Sequence, residues 1–222
     1  FPMRYVDRGL TPATDRLPNA EDRQYRIGKN RRYGTAVTDA LFMSSRDGVR
    51  FDLWDEAFIR PGPSREDTWV YGDNFVFWGM AETRSHLAGA PSEISLYATE
   101  GYWEGDMTSV RRYTSRLDGF VSLTASYEGG ELLTKPFRFS GSHLTLNLST
   151  SAAGSVRVGF EDIDEKPLAG FSTEDCDPVF GDGIEEPVSW KGGLDLTALA
   201  GRPLRMRIRF NDADLFAFQF TE

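Results

Sequence analysis

In the first half of the chain, acidic side chains recur beside aromatic ones: Asp39 ahead of Ala40–Met43, Asp73-Asn74 before Phe75-Val76-Phe77-Trp78, Glu82 after that run, then Glu93 and Glu100-Gly101-Tyr102-Trp103. Glycoside hydrolysis uses two carboxylates, one protonating the leaving oxygen while the other attacks or activates water. Aromatic faces suit the apolar side of a sugar ring. Asp39, at the start of an apolar strand, and Glu82, at the end of an aromatic one, are the pair expected to be catalytic. Burial among aromatic rings would raise the proton affinity of Glu82, as a general acid requires. Asp73, at the other end of the same strand, faces the opposite rim and falls to substrate binding with Glu93, Trp69 and Trp78. With 34 Asp+Glu in 222 residues, such neighbours also arise by chance, and most acids are solvated or cap turns.

Other chemistries lack their residues. His86 and His143 are isolated from one another and from Cys or acid at ligand spacing, so no zinc site is expected. Glu174-Asp175-Cys176-Asp177 with Asp182 offers oxygen ligands for calcium but matches no EF-hand loop, and a solvated loop is expected instead. No Gly-x-Ser-x-Gly elbow, Walker loop or dinucleotide fingerprint occurs, and no cofactor is implied. A net charge of -9 repels phosphate backbones and anionic headgroups, and no apolar run is long enough for a transmembrane helix, so nucleic acid and membrane are not expected partners. Asp47-Gly48 in Ser44-Ser45-Arg46-Asp47-Gly48 suits a hairpin turn, which explains both residues without catalysis.

These side chains must be positioned by strands, because 22 Gly and 11 Pro punctuate the chain every few residues. Apolar or alternating runs at Thr35–Met43, Thr68–Ala81, Ile94–Thr99, Gly119–Ser126, Leu144–Ser149, Ser155–Phe160, Leu204–Phe210 and Leu215–Thr221 predict strands. Pro18–Arg26 and a turn at Asp195–Ala200 are the two helical candidates. The polar cluster Asn211-Asp212-Ala213-Asp214 predicts a hairpin turn between the last two strands. A glycine pair at Gly129-Gly130 marks a boundary near residue 127, giving an all-β chain with an antiparallel β-sandwich at 128–222.

Several strings resemble a group of bacterial glycoside hydrolases related to the invertase and arabinanase type, in which a five-bladed β-propeller precedes a β-sandwich. They include Phe1-Pro2-Met3-Arg4-Tyr5-Val6-Asp7-Arg8, Thr38-Asp39-Ala40-Leu41-Phe42-Met43, Trp54-Asp55-Glu56-Ala57-Phe58-Ile59-Arg60-Pro61-Gly62 and Arg116-Leu117-Asp118-Gly119-Phe120-Val121-Ser122. Leu148-Ser149-Thr150-Ser151-Ala152-Ala153-Gly154-Ser155, Ser189-Trp190-Lys191-Gly192 and Asp212-Ala213-Asp214-Leu215 extend the resemblance over nearly the whole chain. It implies the C-terminal half of such an enzyme: the last blades of a partial propeller at 1–127 and the sandwich at 128–222, with some catalytic acids upstream. It adds Arg4 and Asp7 to the substrate-binding set. The implied partners are a carbohydrate and either the missing propeller half or another copy, because an incomplete propeller leaves open strand edges. No export signal is visible, and a periplasmic or secreted location is implied by the resemblance alone. The rival is a non-catalytic carbohydrate-binding module, with Trp69, Trp78, Tyr102 and Trp103 stacking on sugars, or a purely structural sandwich.

Overall fold

The computed structural model describes residues 1–7, 9–65, 68–102 and 108–222. The chain is all-β and antiparallel, 46% strand and 8% helix, and one of its sheets curls into a half-barrel. It divides into two compact units, Phe1–Thr83 with Glu93–Ser115, and Arg84–Ser92 with Arg116–Glu222.

In the first unit, β1 (Met3–Asp7), β2 (Ala36–Ser44) and β3 (Asp52–Ile59) form one sheet in that order, and β4 (Ala81–Thr83), β5 (Glu93–Glu100) and β6 (Ser109–Arg116) form another. The turn joining β2 to β3 is held as its sequence requires: Asp47 Oδ1 accepts from the amides of Val49 and Arg50, each at 2.8 Å, and Gly48 adopts φ +72°. Helix α1 (Ala20–Lys29) runs three residues past the expected end, with Glu21 and Asp22 in its first turn, Arg26 and Lys29 in its last, and an Asp22–Arg26 ion pair at 3.0 Å. A single turn, α2 (Arg32–Thr35), leads into β2.

The expected strand over Thr68–Ala81 is not one. Residues 71–74 are a turn, Val76 makes an isolated antiparallel bridge to Ala98, and pairing becomes regular only at Ala81. Gly72, Asn74 and Gly79 all take positive φ, which interrupts an extended run despite its aromatic content.

In the second unit, β7 (Leu123–Ala125), β8 (Gly130–Leu133), β9 (His143–Glu161), β10 (Asp182–Pro187) and β11 (Arg205–Thr221) form one sheet ordered β10-β9-β11-β7, with β8 also pairing β11. β7 precedes the boundary expected at 127. Leu144, Leu146, Leu148, Val156, Val158 and Phe160 keep one parity along β9 and are at most 1% exposed, opposite Met206 and Ile208 of β11. Phe139 and Phe220 stack at 4.0 Å between ring centroids, and the indole of Trp190 donates to the carbonyl of Val158 at 2.9 Å.

The hairpin expected at Asn211–Asp214 is absent. β11 continues through it with register shifts at Asn211/Ala213 and Leu215/Ala217, and Asp212 takes φ 45°. The polar side chains find partners on neighbouring segments instead of in a turn. Ser151 donates to Asp212, Ser155 bonds Asn211 at 3.2 Å, and Ser122 and Thr124 donate to Asp214. The runs 144–149 and 155–160 likewise merge into one strand. Asp195–Ala200 forms hydrogen-bonded turns rather than a helix, with Leu199 N–H on Leu196 O at 2.8 Å and Thr197 N–H on Asp195 Oδ1 at 2.8 Å.

Candidate functional site: a tyrosine-walled cavity over a buried carboxyl

Two threonines hold the loop 70–75 of the first unit. From β2, Thr38 Oγ1 donates to the carbonyl of Asp73 at 2.6 Å and accepts from Gly72 N–H at 3.1 Å. From β5, Thr99 Oγ1 donates to the carbonyl of Gly72 at 2.8 Å and accepts from Phe75 N–H at 3.1 Å. The fixed loop presents Tyr71 and Phe75 to Met3 of β1 and to Tyr102 beyond β5, enclosing a cavity of about 190 Å³ that Gly72 and Thr99 also line. Tyr71 meets Tyr5 edge-on at 5.3 Å and Tyr102 at 6.1 Å between centroids. Gly72 permits this approach: at φ +88°, its Cβ would lie 2.3 Å from the Tyr102 ring.

Beside the cavity wall, Asp73 is 2% exposed. Its Oδ1 accepts from Tyr102 N–H at 3.1 Å and its Oδ2 from Val70 N–H at 3.2 Å. Burial pushes its carboxyl up to about 6, against the pull of the backbone amides, and the charge of Glu100 adds to the rise. Glu100 accepts from Tyr113 Oη at 2.8 Å and from Arg111 Nε at 2.5 Å, with Arg65 at 3.6 Å. Burial and the Glu100 bond raise the Tyr113 phenol well above its usual range. Asp73 therefore titrates at about 6, with one oxygen engaged by Val70 of its own loop and the other by Tyr102 beyond β5.

The other expected site residues are dispersed. Asp39 lies inside β2, not ahead of it, directly across from Arg4, whose Nε and Nη2 hold both its oxygens at 2.9 and 2.6 Å. Arg4 also donates to the carbonyl of Asp55 on β3 at 2.7 Å, so the pair ties together all three strands of its sheet. Glu82 sits exposed in the middle of β4, opposite Ile94, and its carboxylate has no hydrogen bond or ion pair among the described residues. The burial expected around it is found at Asp73 instead, which backbone amides surround. Asp7 accepts from Thr35 Oγ1 at 2.6 Å and Gly9 N–H at 3.0 Å, bonds that hold its carboxyl below the usual range. Glu93 pairs with Arg112 at 2.7 Å. Trp69 donates its indole N–H to the carbonyl of Gly62 at 2.6 Å, while Trp78 is fully exposed. Trp103 lies outside the described residues.

The structure thus joins Arg4 to Asp39 and Asp73 to Tyr102, and leaves Glu82, Glu93, Trp69 and Trp78 in separate settings. Met3, Tyr71 and Thr99 were not legible as site residues, because turns over 70–75 bring together positions nearly 100 residues apart.

In the second unit, the acids of the candidate calcium loop are engaged separately: Glu174 with Arg209 at 2.7 Å, Asp175 with Lys191 at 3.1 Å, Asp177 with Ser189 at 2.6 Å, and Asp182 with Arg116. Among the described residues, no group of three or more His, Cys, Asp and Glu could hold a metal ion. Comparison with protein-family models, with curated proteins and with solved structures gives no match to this chain.

Proposed function

We propose that the chain is the C-terminal portion of a glycoside hydrolase, with the last blades of a propeller followed by a β-sandwich, and that its own contribution is to hold glycan in the cavity of Tyr71, Phe75 and Tyr102. The observation behind binding is that cavity: three aromatic side chains, preorganised by the Thr38 and Thr99 bonds, around a space for a single sugar ring. The three-stranded antiparallel sheets of the first unit are compatible with blades, and the resemblance set out above supports the enzyme class. Of the two expected catalytic acids, Glu82 has its carboxylate available and Asp39 does not, so Glu82 is the better candidate for acid or base chemistry.

Calorimetric titration of the chain with a panel of neutral oligosaccharides tests the binding function. At least one should bind, and Met3→Phe, which fills the cavity, should abolish binding with the circular dichroism unchanged. Equal binding by that variant would refute the cavity's role. In the chain joined to upstream blades, Glu82→Gln should lower turnover about 10²–10⁴-fold at an unchanged thermal midpoint; full activity would remove Glu82 from the mechanism.

A further inference from the structure

The second unit contains a different kind of cavity. Leu144, Leu146 and Leu148 of β9 point into its core, so Thr145 and Asn147 face outward, and the register sets them opposite Gln219 and Ala217 of β11. With Ile184 of β10 and Asp118 at the rim, these four side chains border a cavity of about 250 Å³.

One wall is built rigidly. The Asn147 amide donates to the carbonyl of Leu117 at 2.7 Å, and its oxygen accepts from Arg116 Nη1 at 2.7 Å. Arg116 also donates to the carbonyl of Gly183 at 3.0 Å, pairs with Asp182 and lies 4.8 Å from the Phe216 ring centroid. These bonds fix the turn bearing Asp118 against the sheet. The remaining polar groups are uncommitted: the Asp118 carboxylate, the Thr145 hydroxyl and the Gln219 amide have no hydrogen bond or ion pair among the described residues. Asp118 is also held at φ 52°, a conformation that favours glycine, although Gly119 follows it directly.

The geometry points to a second ligand site here, a subsite for one neutral sugar ring on the outer face of the β9–β11 sheet, with Asp118, Thr145 and Gln219 as its hydrogen-bonding groups. A carboxylate that only accepts, a hydroxyl that does both, and an amide that donates and accepts match adjacent hydroxyls of a pyranose or furanose. Anions are disfavoured, because Asp118 faces the space and Arg116 already holds Asn147, the Gly183 carbonyl and Asp182. The volume lies below that of drug-sized pockets, which limits the ligand to a single ring. The site rests on the glycan-binding function only for the class of ligand; its residues are independent of the tyrosine-walled cavity.

The test is a titration of the full chain with glucose, galactose, fructose and xylose, read from the amide resonances in ¹H–¹⁵N spectra. At least one sugar should shift the amides of 117–119, 145–147 and 217–219 saturably, with millimolar affinity. Asp118→Gly should weaken that binding at least about tenfold, because hydrogen bonds to a charged group are among the strong ones, and should leave the thermal midpoint unchanged or raised, since glycine relaxes the positive φ. Gln219→Met, which keeps length and loses the amide, should weaken binding without touching that turn. The site is overturned if no sugar moves these amides at roughly a hundred times the millimolar affinity expected of so small a contact set, if glycerol moves them as much as the sugars do, or if neither variant changes the titration. Amides near Tyr71 and Tyr102 report the first cavity separately, so either site can fail alone.

Discussion

Asp73 shows what burial does to a single acid. Its folded carboxyl titrates at about 6, above the ordinary aspartate value of 3.8, so between those pH values the folded chain holds a proton that the unfolded chain has released. Its contribution to stability is therefore fully present below about pH 4 and is lost as pH rises to about 6. Urea unfolding between pH 4 and 7 should show wild type losing on the order of 2–3 kcal/mol relative to Asp73→Asn across that window. Parallel pH profiles for the two proteins would mean that Asp73 is solvated, contrary to its 2% exposure. The sequence showed the acid beside aromatic residues but not which acid would be buried. Asp73 and Glu82 both flank the same run, and left-handed residues at Gly72 and Asn74 turn one inward while β4 leaves the other exposed.

Among the elements, alternation was the most legible property and punctuation the least. The inward parity of 144–148, 156–160 and 206–210 follows directly from apolar residues at every second position. The sequence of Asn211–Asp214 is that of a turn, and its strand conformation depends on Ser151, Ser155, Ser122 and Thr124, hydroxyls from distant segments that take up its polar groups. The crossing there is tight. A Cβ on Gly154 would lie 2.2 Å from the carbonyl oxygen of Asp212, a backbone atom that cannot swing aside. Gly154→Ala should therefore force the strands apart at the bulge and destabilise the second unit by a few kcal/mol, whereas Ala153→Gly beside it should cost about 1 kcal/mol or less. Equal denaturation midpoints for the two variants would show that β9 and β11 do not approach so closely.

The two units differ in what they bury. Among the described residues, the second unit's core cluster holds twenty buried apolar side chains, including Phe160, Trp190, Met206 and Ile208, whereas the first unit's cluster is Ala40, Ile59, Val76 and Ala98, with Ala36, Leu41, Val70 and Leu96 buried outside it. Much of what the first unit buries is polar, including Thr35, Thr38, Asp73, Asn74, Ser95 and Thr99. A buried large apolar side chain contributes about 1.5–3 kcal/mol, whereas a satisfied hydrogen bond adds about 1 kcal/mol net, and the raised carboxyl of Asp73 subtracts from that at neutral pH. The first unit also leaves Phe51, Leu53, Phe75, Phe77, Trp78 and Met80 at least 40% exposed. The first unit should thus open first. In native-state hydrogen exchange, amides of Val158 and Ile208 should be the slowest, while those of β2 and β5 exchange through a lower-energy opening. Added upstream chain, if it covers the exposed aromatic residues as the propeller proposal requires, should slow β2 and β5 selectively and leave Val158 and Ile208 unchanged. Without it, light scattering should show mass rising with concentration, because the same apolar surface is open to another copy. A strictly monomeric chain whose β2 and β5 amides are as protected as Val158 would mean that the first unit is stable alone, and would count against upstream blades that cover it.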